Sequence, residues 1–184
     1  MPGQDASPDA TVGFGMEEAQ MVVDTVKWVR QQYKASPKIV LYGLSMGGAA
    51  VWLASEMDPS VDAVVSEGAY AKFDEAMNNW LNKQLPGSSV YLKPMIWIAS
   101  AEANINPSNI IPEAAAAKWR KPALIVQGGR DKLIPMDHAE RLAKAANCPL
   151  WIVPGAAHAE CYSVAGGEFL DRLTALANML TKVK

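Results

Sequence analysis

The chain has 184 residues, half of them apolar and 20% charged, which describes one ordinary globular core and excludes a disordered, collagen-like or disulfide-scaffold protein. Seventeen basic residues against nineteen acidic leave a net charge of −2, and no basic run tracks a phosphate backbone, so nucleic acid is not an expected partner. No apolar stretch approaches the roughly 18 residues that span a bilayer. The polar opening Met1–Ala6 lacks the pattern of a signal peptide, and the two cysteines, Cys148 and Cys161, read as free thiols of a reducing compartment. A cytoplasmic location without a membrane partner is expected.

In chain order, residues 1–15 read as an irregular lead-in rich in Gly, Pro, Asp and Ser. Ala19, Val22, Val23, Val26, Val29 and Tyr33 recur at helical spacing and predict an amphipathic helix over Met16–Lys34. Lys38–Tyr42 is a short β-branched run, the pattern of a strand covered on both faces in a parallel sheet. Gly43-Leu44-Ser45-Met46-Gly47-Gly48 follows at once, and Ala49–Met57 predicts a helix packed back on that strand. Val61–Val65, Ala123–Val126 and Leu150–Val153 read as further strands. Asp137–Ala146 forms a crossover helix between the last two, and Phe169, Leu170, Leu173, Leu176, Leu180 and Val183 mark a closing helix. Strands alternating with helices predict an α/β fold, a mainly parallel sheet of about four core strands with helices on both faces. Residues 70–119 break the rhythm: they carry Phe73, Met77, Trp80 and Leu81 at helical spacing and no convincing strand. They read as a helical cap inserted within a single 1–184 domain.

The residues able to do chemistry stand at the ends of these strands. Gly43-x-Ser45-x-Gly47 sits between a buried strand and a helix, the context in which a serine is pushed above the sheet edge on a strained turn. The helix N-terminus there aims the Met46 amide at an oxygen gaining negative charge. A nucleophilic serine needs a base, and the chain has two histidines. His158 follows the last strand at the carboxyl edge, where parallel sheets bind ligands. His138, early in a helix, reads as solvated surface, with Asp137 as that helix's N-cap. Asp131, after the preceding strand, is the expected partner of His158, with Glu67 as the alternative acid; Ser, Asp, His is the chain order that this geometry uses. Cys161 reads as a buried structural thiol.

With these motifs in this order the sequence resembles the α/β-hydrolases, in particular esterase-like members with a short helical cap. The resemblance runs from about Thr11 to the C-terminus through Thr11-x-Gly13 with Glu18, Gly43–Gly48, Gly128–Pro135 and Gly155–His158. It implies cleavage of carboxylic esters through an acyl-serine intermediate, with no metal or cofactor. By that resemblance Ser45 attacks, His158 moves the proton, Asp131 holds His158, and Met46 supplies one oxyanion donor. Thioesterase or peptidase action with the same triad, and a non-catalytic binding module on the same fold, are the alternatives. Trp80, Trp97 and Met77, together with Phe73 and Met95 of the cap, are candidates for an apolar acyl pocket, or for simple packing of the cap on the sheet.

Family members carry further strands before the first helix read here, and a His-Gly loop that donates a second oxyanion hydrogen bond. Without these, turnover is expected to be slow and confined to small, activated esters. The strand Lys38–Tyr42 then becomes an exposed edge, which predicts a homodimer or larger assembly through it.

Overall fold

The computed structural model describes residues 13–33, 38–84 and 106–182, with residues 87, 90, 92–94, 98 and 101 between the last two stretches. Four strands, β1 (Val40–Leu44), β2 (Ala63–Glu67), β3 (Ala123–Gly128) and β4 (Leu150–Val153), form a parallel sheet in the order β1-β2-β3-β4. The helices whose bounds are described are α1 (Met16–Gln32), α2 (Met46–Met57), α3 (Phe73–Gln84), α4 (Pro112–Lys118), α5 (Met136–Ala146), α6 (Cys161–Ala165) and α7 (Gly167–Lys182).

The two core strands β2 and β3 are buried along their whole length, as their apolar runs require. Alternation sends Val64 and Ile125 into one core with Ala19, Trp52, Ala115 and Leu142, so that α1, α2, α4 and α5 cover this face. Val65, Val126 and Trp151 point the other way and pack on Phe169, Leu176 and Leu180 of α7. Covering each face thus hides nearly the whole apolar content of the central strands, at about 25 cal/mol per Å² of apolar surface removed from water.

Local chemistry sets where the helices begin and stop. The Glu18 carboxylate turns back to accept the Gly13 and Gly15 N–H groups at 3.1 and 2.7 Å, the carboxylate half of a capping box at the start of α1. At the far end of α5, Asn147 takes the left-handed conformation (φ 49°) and its N–H returns to the helix. Arg141 on α5 bridges Glu75 of α3 and Glu113 of α4, fixing these two short elements to the same helix.

β1 stands at one edge of the described sheet. Val40, Tyr42 and Leu44 are partly exposed, with the Tyr42 ring meeting Phe169 of α7 edge-on at 6.0 Å. Beside this strand runs an apolar groove of about 800 Å³, walled by Met21, Val22, Val29, Tyr42, Leu44 and Val51. No helix among the described residues is long and apolar enough to cross a membrane. Both cysteines are free thiols.

His138 corrects the sequence expectation. It is fully buried, not solvated, and its Nδ1 accepts the Ala71 N–H at 3.1 Å. The stripe of α5 that packs inward runs His138, Leu142, Ala146 at intervals of four, so the histidine continues the apolar face. Nor is Asp137 the cap: α5 starts at Met136 with Pro135 before it, and Asp137 lies in the first turn.

Burial pushes the His138 pKa below its ordinary 6.5, with Asp137 pulling upward and Arg141 reinforcing the downward shift. A depressed histidine pKa means that the unfolded chain takes up protons first. Stability from this residue is therefore complete above pH 6.5 and is lost as pH falls through the lower folded value. Thermal melts across this range should show the decline. His138→Gln keeps an acceptor for Ala71 but does not titrate, and should flatten it; an unchanged slope would contradict this assignment.

Candidate active site

The turn after β1 is a tight crossing of the chain. Ser45 has φ 56° and ψ −120°, a conformation that costs a non-glycine residue on the order of 1–3 kcal/mol. It is enforced by the crossing of the chain over itself: a Cβ on Gly43 would lie 2.1 Å from the Gly47 carbonyl oxygen. The turn is also held from the side, since the Ser45 N–H donates to the Glu67 carbonyl at 2.8 Å. Met46 begins α2, so its N–H is one of the donors that a helix start leaves without an intrahelical partner.

Three strand ends converge on this serine. Its Oγ lies 2.9 Å from His158 Nε2, and His158 Nδ1 lies 2.8 Å from Asp131 Oδ2. The backbones carrying the last two are tied together, with the Gly129 N–H on the Val153 carbonyl at 2.9 Å and the Arg130 N–H on the Ala156 carbonyl at 2.8 Å. Ala159, with φ 64°, turns the chain sharply after the histidine.

Asp131 is held on both oxygens. Oδ1 accepts the Leu133 and Ile134 N–H groups at 2.8 and 2.9 Å, and Oδ2 accepts Gln127 Nε2 at 3.2 Å besides the imidazole. Burial works to raise its pKa, but the His158 hydrogen bond and these backbone donors outweigh it and hold the carboxyl below its ordinary value. An ionised carboxylate only accepts, so His158 carries its proton on Nδ1 and presents a bare Nε2 lone pair to the Ser45 hydroxyl. The result is a hydroxyl, an imidazole and a carboxylate in one hydrogen-bonded line, an arrangement able to draw the proton from the hydroxyl.

The Glu67 carboxylate is hydrogen-bonded to the Tyr42 hydroxyl and the Cys161 N–H, while Asp131 is the carboxylate on His158. Met77 is buried on α3 and Trp80 is 44% exposed on the same helix, and neither enters the hydrogen-bond network around Ser45. Trp97 and Met95 lie outside the described residues. Gln127 is the site residue that sequence reasoning missed. It is fully buried and spends its amide on Asp131 and the Ile134 carbonyl. Its signal was a lone polar side chain in an apolar strand, four positions before the aspartate.

The profile of the dienelactone hydrolase family matches residues 7–165. Among curated proteins, the uncharacterized protein YfhR of Escherichia coli is 25% identical over 169 residues, which is 85% of this chain and 54% of YfhR. The chain thus spans about half the length of the curated relatives it matches. Among solved structures, the Pyrococcus furiosus esterase Pf2001 superposes with a TM-score of 0.73 at 17% identity, covering 96% of this chain and 67% of that one. The esterase domain of a Rhodothermus marinus protein gives 0.60 at 18% identity, over 86% and 67% of the two chains. At these identities the structural likeness shows the α/β-hydrolase fold.

Proposed function

The chain belongs to the dienelactone hydrolase family, and from that premise we propose that it hydrolyses carboxylic esters through an acyl-serine intermediate. The observation that carries the reading is the unbroken hydrogen-bonded line Ser45 Oγ, His158 Nε2, His158 Nδ1, Asp131 Oδ2 on a strained strand-to-helix turn.

In this mechanism Ser45 Oγ bonds to the acyl carbon as its proton passes to His158 Nε2. The carbonyl π electrons move onto oxygen, where the Met46 N–H and the start of α2 stabilise the charge. Collapse breaks the bond to the leaving alcohol, which takes the proton from His158. Water then enters by the same route, with His158 again as base, and releases the acid and free Ser45. Asp131 stays ionised and keeps the imidazolium in place.

One oxyanion donor is typically worth about 10²- to 10³-fold in rate. The Met46 amide is one such proposed donor, short esters with good leaving groups are the proposed substrates, and Met77 and Trp80 are the proposed acyl contacts. Nitrophenyl esters of increasing chain length test this. The expected result is turnover of short activated esters, falling with chain length, and little hydrolysis of amides. Faster cleavage of anilides than of the matching esters would sink the ester assignment.

A further inference from the structure

Glu67 ends β2 as a buried carboxylate, 2% exposed, that the proton relay does not use. Strand alternation puts it on the face of the sheet shared with Tyr42 and α6. The Tyr42 hydroxyl donates to Oε2 at 2.6 Å, and the Cys161 N–H donates to Oε1 at 3.2 Å. Burial first, and then the charge of the same carboxylate, push the Cys161 thiol up to about 12. Burying a carboxylate is costly unless donors satisfy it. Here they come from β1 on one side and from the first turn after the His158 loop on the other.

The backbone around Glu67 touches the rest of the site. Its carbonyl oxygen receives the Ser45 N–H. Gly68, at φ 57°, stands behind the imidazole: a Cβ there would lie 3.4 Å from His158 Cε1 and Nδ1 and 3.5 Å from Asp131 Oδ2. We propose that Glu67 is a positioning residue, whose carboxylate pins the start of α6, and through it the His158 loop, to the strand pair that carries Ser45. Cys161 lies three positions after His158, so the Cys161 N–H is a short lever on the imidazole. The proposal rests on Ser45 and His158 acting as nucleophile and base, because misplacing the imidazole matters only if Nε2 must meet Oγ.

This role predicts a specific kinetic signature. A misplacement of about 1 Å can cost on the order of 100-fold in rate, and it should fall on kcat while leaving KM within a factor of about two, since Glu67 does not meet the acyl group. Glu67→Ala should lose about 10- to 100-fold in kcat and in the rate of fluorophosphonate labelling of Ser45. Glu67→Gln keeps an acceptor and should recover part of the loss. Tyr42→Phe removes one donor and leaves Glu67 in place, so it should show a smaller loss of the same kind. If Glu67→Ala does not fold, the last two variants decide the matter.

A readout independent of turnover is the downfield NMR signal of the His158 Nδ1 proton. It should shift or broaden in Glu67→Ala, and move less in Glu67→Gln. Folded variants with wild-type kcat and an unmoved signal overturn the proposal. If wild-type Ser45 resists the fluorophosphonate, the hydrolase reading falls by itself. The imidazole signal then still decides whether Glu67 sets the position of His158.

Discussion

Ser45→Ala is expected to lower ester hydrolysis by roughly 10⁴- to 10⁶-fold and to abolish fluorophosphonate labelling. No other hydroxyl is hydrogen-bonded to His158 among the described residues, so the lone pair on Nε2 has nothing else to activate. Stopped assays with a nitrophenyl acetate, paired with mass measurement of the labelled protein, check both outcomes. Labelling that persists in the variant would place the nucleophile elsewhere. The substitution also separates catalysis from stability. Alanine keeps the unfavourable φ of 56°, whereas glycine adopts it freely, so Ser45→Gly should be equally inactive yet melt higher than Ser45→Ala.

Asp131→Asn is expected to cost about 10⁴-fold, the effect of the wrong tautomer. An asparagine has one acceptor oxygen where the aspartate uses two. If that oxygen stays on the Leu133 and Ile134 amides, the NH₂ group faces His158 Nδ1, which must then accept. The imidazole proton moves to Nε2 and points at Ser45, so the base is lost while the geometry survives. Wild-type rates in a folded variant would remove Asp131 from the relay. The same carboxyl links the site to acid stability: its pKa is depressed, so its contribution is full above the ordinary 3.8 and disappears as pH falls through the folded value.

The parallel sheet and the helices over it were legible from hydrophobic pattern, because each central strand is a short β-branched run between turn residues. The boundaries shifted for a reason. β1 and β2 each extend two residues beyond the expected ends, through Gly43-Leu44 and Ser66-Glu67, residues that propensity places in loops. Pairing of Leu44 with Glu67 carries both strands on to the site. Ser45, Asp131 and His158 could be read because each follows a recognisable strand. Glu67, Gln127 and His138 could not be assigned, because what makes each tolerable inside lies far along the chain or around a turn. Glu67 depends on Cys161, 94 residues later, and His138 on the Ala71 amide, 67 residues earlier. A buried polar residue without its partner in view looks like a surface residue.

The order of the strands in space is also their order in the chain. A ribosome therefore lays this sheet down from one edge to the other, and every new strand finds its neighbour already made. Ser45 is the first of the reacting groups to emerge and His158 the last, 113 residues later. Until β4 docks, the serine sits on its strained turn with no base to call on. In the proposed mechanism the serine therefore gains its base only once β4 has joined β3.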